Sequence, residues 1–173
     1  MTSAKRDEQI FTTWLNDHGG ILRQLSRVHA PEPADADELH QEMLVQLWRS
    51  VPRFLGEAKA STWIYRVCLN TGLTWRRTTR RRAARVVADI ESVETASSEE
   101  QDPADQQERG DLMDALMQAV RSLSPGRRSL VVLALDGLSY REISEITGMT
   151  ENHVGVALSQ ALTEKMEQIS HEF

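Results

Sequence analysis

Residues 139–162 read SYREISEITGMTENHVGVALSQAL. Ser139 followed three residues later by Glu142 is a capping box, in which each side chain satisfies the other's free backbone N–H at a helix start. It predicts a short helix over 140–147. Gly148 can take the left-handed conformation that ends such a helix. Thr150 is placed to cap a second helix, over 151–169. Two short helices joined by TGMT make a helix-turn-helix. On the second helix Val154, Leu158, Ala161 and Leu162 form an inward stripe. Thr150, Asn152, His153, Val156, Ala157 and Gln160 face outward, where the first residues of a recognition helix meet base edges. Asn and Gln can read adenine, and Val can touch a thymine methyl. Cations are scarce there: Lys165 lies toward the inner side, and Arg141 comes from the preceding helix.

Working outward, Ser124-Pro125 marks another helix start, with proline at the first helical position. Helices are expected over 111–122 and 125–136. Before them, DIESVETASSEEQDPADQQE (89–108) carries few large apolar residues and many acids and serines, the composition of a flexible linker. In the preceding part, helices are expected near 7–16, 20–29, 35–50 and 61–84, with Asp35 and Ser61 as caps for the last two. HGG (18–20) and PEP (31–33) punctuate between them, and VPRFLGEAK (51–59) connects. No alternating strand pattern and no internal repeat occurs. The predicted class is all-α: two small helical domains, 1–86 and 111–173, joined by a flexible acidic linker over 87–110.

Composition narrows the function. Of 173 residues, 40% are hydrophobic and 27% charged, ordinary for a soluble globular protein. No apolar run is long enough to cross a bilayer, and the first residues lack a signal-peptide pattern, so membrane insertion is not expected and the cytoplasm is. Cys68 is the single cysteine, which excludes an internal disulfide or a multi-cysteine zinc site; in WIYRVCLN it reads as a buried structural thiol. The five histidines show no metal-ligand spacing. No metalloprotease, nucleophile-elbow or phosphate-loop motif occurs. The expectation is a protein with no metal, no cofactor and no catalytic residues.

The net charge of −6 conceals a strong asymmetry. RRTTRRRAAR (76–85) holds six arginines and no acid, while residues 86–111 hold nine acids against Arg109 alone. Six cations in ten residues repel one another unless a polyanion neutralises them. On helix 61–84, Trp63, Ile64, Val67, Thr71 and Trp75 line one side, and Arg66, Asn70 and Arg77 another. Basic groups beside stackable rings (Trp63, Tyr65, Trp75) suit single-stranded nucleic acid, at roughly 1–3 kcal/mol per stacked base. On helix 35–50, Ala36, Leu39, Met43 and Leu47 share the core stripe. Asp37, Gln41, Leu44 and Trp48 share a second. Periodicity alone leaves open whether Leu44 and Trp48 pack inside the bundle or form a protein-binding face with Trp48 as anchor.

Three stretches carry a family resemblance. DADELHQEMLVQLWRSVPRF resembles the domain 2 core of sigma-70 family proteins. STWIYRVCLNTGLTWRRTTRRR resembles the helix that follows it. LSPGRRSLVVLALDGLSYREISEITGMTENHVGVALSQALTEKM resembles sigma domain 4. Two such parts with nothing else between or before them resemble the extracytoplasmic function (ECF) group. The resemblance implies a factor that binds core RNA polymerase and directs promoter-specific initiation, while the polymerase does the chemistry. Asp37, Gln41, Leu44 and Trp48 would grip the polymerase clamp helices. The loop 51–60 with Lys59, Trp63, Arg66 and Asn70 would capture an unpaired non-template base of the −10 element. Arg76, Arg77 and Arg80–Arg82 would hold phosphates. Domain 4 would dock on the flap and read the −35 duplex through Arg141, Thr150, Asn152, His153, Val156, Ala157 and Gln160. The implied partners are core polymerase and promoter DNA, with an anti-sigma factor or recruiting protein as a further one. The sequence departs from the family where the last helix usually carries Arg or Lys: here stand Ala157, Gln160 and Thr163, which implies weakened −35 reading. Two rival readings stay open. One is a sigma-like decoy that binds an anti-sigma factor without engaging a promoter. The other is a helix-turn-helix regulator acting without polymerase, which leaves the Arg66–Asn70–Arg77 surface unexplained.

Overall fold

The computed structural model describes residues 3–30, 32–89 and 116–171, with side chains described except at 83–89 and 166–171. Among the described residues all regular elements are helical. They are α1 (Ser3–His29), α2 (Pro33–Ser50), a 3-10 turn (Val51–Arg53), α3 (Ala60–Asp89), a helical stretch α4 (116–122), α5 (Pro125–Leu135), α6 (Tyr140–Thr147) and α7 (Glu151–His171).

The first domain packs α1, α2 and α3 against one another in all three pairings. Its centre is Leu22, Leu25, Leu39, Met43, Leu47 and Ile64, all fully buried. Each such side chain contributes about 1.5–3 kcal/mol by leaving water. The expected α2 stripe of Ala36, Leu39, Met43 and Leu47 is the buried one. Cys68 is buried and unpaired, and burial pushes its thiol up to about 12, so it has no thiolate character at neutral pH. The second domain packs α5 and α6 against α7, around Leu133, Ile143 and Val154.

Several local expectations need correction. HGG does not break the chain: α1 is continuous through Gly19 and Gly20. Trp14, Leu22, Leu25 and Val28 are buried along it, so packing on both sides of the glycines holds the turn together. Asp35 does not cap α2. Pro33, with its fixed φ, sits in the first turn, Glu32 takes the cap position, and Asp35 lies in the first turn, where the helix dipole favours an acid. Ser61 lies inside α3, which starts one residue earlier, with the Trp63 amide already donating to the Lys59 carbonyl. α3 continues to Asp89, past the expected helix end at 84; of the expected linker, residues 90–110 lie outside the described residues. Leu162 is exposed, not inward: the buried positions of α7 are Val154, Leu158 and Ala161.

The local chemistry of the second domain follows the expectations. Ser139 and Glu142 close the capping box, and Gly148 ends α6 at φ 76°. The Thr150 hydroxyl accepts from the His153 amide at 3.2 Å.

Candidate nucleic-acid interface

α2 turns its second stripe outward. Asp37 and Gln41 are exposed, Leu44 is half-buried against the core, and Trp48 is 44% exposed. Trp48 is held at the surface by an edge-to-face contact with Phe11 of α1, ring centres 5.2 Å apart. Val45 lies exposed next to it. A tryptophan that is fixed yet open to solvent suits an anchor for another protein.

The loop between α2 and α3 is set by an aromatic ladder. Trp14 meets Phe54 at 5.0 Å, and Phe54 meets Trp63 at 5.6 Å. The Trp63 indole N–H donates to the Ser50 hydroxyl at 3.0 Å. Trp63 is therefore half-buried, with its polar handle engaged inside the domain. Beyond it, α3 presents Arg66 (half-buried) and Asn70 (exposed), then the arginine run. Arg77, Arg80, Arg81 and Arg82 are exposed; Arg76 is half-buried, where desolvation and the neighbouring Arg80 hold its pKa down. A cleft of about 500 Å³ opens between α2 and α3, lined by Glu38, Glu42, Asn70, Thr74, Trp75 and Arg82.

On the helix-turn-helix, Thr150, Asn152, His153, Val156 and Gln160 are exposed, as expected for an outward face. Ala157 is the exception: it lies half-buried against the core. Tyr140, half-exposed at the start of α6, packs over Gly155, where a Cβ would come within 3.2 Å of the ring. Tyr140, Asn152, Gly155, Val156 and Gln160 thus share one shallow groove. Arg141 faces Glu145 at 3.5 Å, and Glu151 opens the recognition helix, so the cation shortage seen in the sequence is also a shortage in space.

The two domains also touch each other. Asp136, at the C-terminal end of α5, accepts from Gln24 of α1 and from the Tyr65 hydroxyl of α3, each at 2.7 Å. Burial, and then Asp136, raise the Tyr65 pKa far above its ordinary value. The Arg66 guanidinium donates to the backbone carbonyl of Glu145 in the last turn of α6. Lys59 Nζ pairs with Glu142 at 3.3 Å. Arg121 and Arg128 donate to the carbonyls of Arg27 and Val28 in the last turn of α1. None of these cross-domain partners was among the expected site residues except Lys59 and Arg66. Three of the six contacts are accepted by backbone carbonyls, which leave no trace in side-chain pattern.

Family models settle what the pattern belongs to. Sigma-70 region 2 matches residues 10–82, and sigma-70 region 4 matches residues 113–164, together well over half of the chain.

The chain belongs to the sigma-70 family.

Among curated relatives, this sigma factor is 28% identical to the ECF RNA polymerase sigma-E factor of Escherichia coli K12, over 82% of this chain and 77% of the relative. It is likewise 28% identical to the RNA polymerase sigma-E factor of Streptomyces avermitilis, over 92% and 84%. These relatives and the two-region layout place it with the ECF factors. Two solved structures share the fold. One is CnrH in complex with the cytosolic domain of CnrY: TM-score 0.64, 20% identity, 94% of this chain and 89% of that one. The other is RpoE in complex with the anti-sigma factor NepR from Bartonella quintana: TM-score 0.68, 19% identity, 92% and 96%. Residues 10–82 of the sigma factor thus contain the exposed α2 face and the arginine run as far as Arg82, and residues 113–164 contain the helix-turn-helix.

Proposed function

We propose that this sigma factor binds core RNA polymerase and directs initiation at a promoter, acting in the cytoplasm, with all bond chemistry left to the polymerase. Asp37, Gln41, Leu44 and Trp48 form the face that meets the clamp helices. Lys59, Arg66 and Asn70 take an unpaired −10 base of the non-template strand, and Trp63 holds the adjoining loop from beneath. Taking a base from the stack costs a few kcal/mol, offset by contacts in the receiving site. Arg76, Arg77, Arg80 and Arg81 hold the backbone. The outward face of α6 and α7 meets the −35 duplex weakly, and docking on the flap places it there. The observation that carries this reading is the pairing of an exposed, ring-supported Trp48 on α2 with an exposed arginine run on the next helix, inside the region 2 match. An anti-sigma factor is a fitting further partner, since one solved neighbour was captured with one.

The experiment is run-off transcription with purified core polymerase and permanganate footprinting of the opened strand. Arg66→Ala with Arg76→Ala and Arg77→Ala should reduce opening on the order of tenfold or more, because phosphate neutralisation and base capture are both weakened. The variant should still co-elute with core polymerase. Unchanged opening with the fold intact would refute the reading. The decoy reading is favoured by one observation, the cation-poor recognition face; it requires that the wild-type chain give no run-off product at all.

A further inference from the structure

We infer that the cleft between α1 and α4 is a binding site for an oligophosphate, a chain of linked phosphate groups either free or carried on a nucleoside. The inference does not rest on the strand-capture reading, since none of its residues lies on α3. Four arginines gather at this place. Arg23 and Arg27 stand exposed on one face of α1, four residues and so about 6 Å apart along the helix. Arg121 comes from α4, on the opposite wall. Arg128 of α5 lies beside it, only 4% exposed. Like charges repel, and a buried charge is costly without a counter-charge. A cluster of this kind therefore ordinarily recruits carboxylates. Here none of the four pairs with a carboxylate among the described residues.

Two of the guanidiniums are fixed in place. Arg121 donates to the Arg27 carbonyl at 3.3 Å, and Arg128 donates to the carbonyls of Val28, Arg121 and Leu123. Carbonyls position these groups without cancelling their charge. The Nε atoms of Arg121 and Arg128 are shut off from solvent and have no partner. Neither water nor protein satisfies these two charged donors, which leaves the positive charge poorly compensated. The cleft measures about 760 Å³. Small-molecule sites occupy about 300–1,000 Å³. Its walls include Gly20, Arg23, Gln24, Arg27, Gln118 and Arg121, and no carboxylate lines it. Asp136 meets the wall through Gln24 and gives its second oxygen to Tyr65. Gly20, about one turn before Arg23, leaves open the space a side chain would fill. Guanidinium forks match phosphate oxygens bidentately. Cations on two walls, and at two levels along α1, are met together by an anion that carries charge on several groups. A single phosphate meets one level; a phosphate chain spans both.

The test is calorimetric titration of the full chain at low salt, without magnesium, with tripolyphosphate, ATP and sulfate as probes. Sulfate at matched ionic strength is the control for screening alone. Tripolyphosphate should bind at one site and raise the thermal midpoint, as a ligand of the folded state does. Arg23→Gln with Arg27→Gln, both at exposed positions, should weaken it on the order of tenfold or more, since charge-assisted contacts are lost at two guanidiniums. Arg121→Gln, on the other wall, should weaken it as well, so the test stands even if one variant folds poorly. Arg23→Lys with Arg27→Lys keeps the charge, loses the fork and should fall between. ATP that binds no tighter than tripolyphosphate means that the phosphate chain alone is read; tighter ATP means that the nucleoside is held too, and both outcomes uphold the site. Three results overturn it. One is no binding of tripolyphosphate or ATP up to millimolar concentration. Another is a response to sulfate as strong as to tripolyphosphate. The third is binding unchanged by the Arg23 and Arg27 substitutions but lost in Arg80→Ala with Arg81→Ala, which would seat the anion on the α3 arginine run instead.

Discussion

His29 is the most constrained ionisable residue of the first domain. It is fully buried, and neither ring nitrogen has a hydrogen-bond partner. Gly72 of α3 lets the ring approach so closely that a Cβ there would stand 3.0 Å from it. Burial first, and Arg76 second, lower its pKa from 6.5 to about 4. The folded state thus refuses a proton that the unfolded chain accepts between those values. Stability is fully present above the unfolded pKa and falls as pH drops from about 6.5 toward 4, by at most about 3 kcal/mol from this group. Urea unfolding across that range should show a shallower pH dependence for His29→Leu than for the wild type. Identical slopes would show that His29 is not the group responsible. The sequence could reveal that this histidine lacks ligand-like company. It could not reveal the burial, which depends on a glycine more than forty residues away on another helix.

Elements were legible where their ends are decided by local chemistry. The capping box at Ser139, the left-handed Gly148 and the Thr150 cap all involve residues within a few positions of each other, and each stands as expected. The two glycines of α1 show the opposite case. Locally they favour a break; the buried stripe from Trp14 to Val28 overrides them. That override leaves a measurable weakness in the helix. Glycine in a helix interior is worse than alanine by about 0.5–1 kcal/mol, through the backbone entropy of the unfolded chain. Neither Gly19 nor Gly20 has an atom within 4 Å of an added Cβ, so nothing obstructs alanine there. Gly19→Ala and Gly20→Ala should each raise unfolding stability by roughly that amount, seen as a higher urea midpoint at unchanged slope. A lowered midpoint would mean that the added methyl strains the folded helix at that turn.

At the scale of the whole chain, the fold class and the order of the two regions were legible, because an apolar stripe at helical spacing recurs along the chain and the last two helices carry their own caps. The docking of one domain on the other was not, because its polar contacts run through three carbonyls at helix ends and two carboxylates, Asp136 and Glu142. The distribution of charge follows from both. The arginine run lies on α3 of the first domain, whereas the recognition face of α7 begins with Glu151, and Arg141 is paired with Glu145. Arg66 is turned onto the Glu145 carbonyl, and the outward face of α7 carries few cations. The free chain should therefore bind duplex DNA weakly and with a shallow salt dependence, since phosphate contacts supply both the affinity and the slope. Adding one cation tests this. Position 157 is a poor choice, because Ala157 is half-buried and an arginine there would disturb the packing beneath α7. Gln160 is exposed on the same helix. Gln160→Arg should strengthen duplex binding and steepen the plot of log affinity against log salt by about 0.9 for one new phosphate contact. If the slope stays as in the wild type, α7 does not lie along the duplex backbone, and the second domain reaches the promoter by way of polymerase alone.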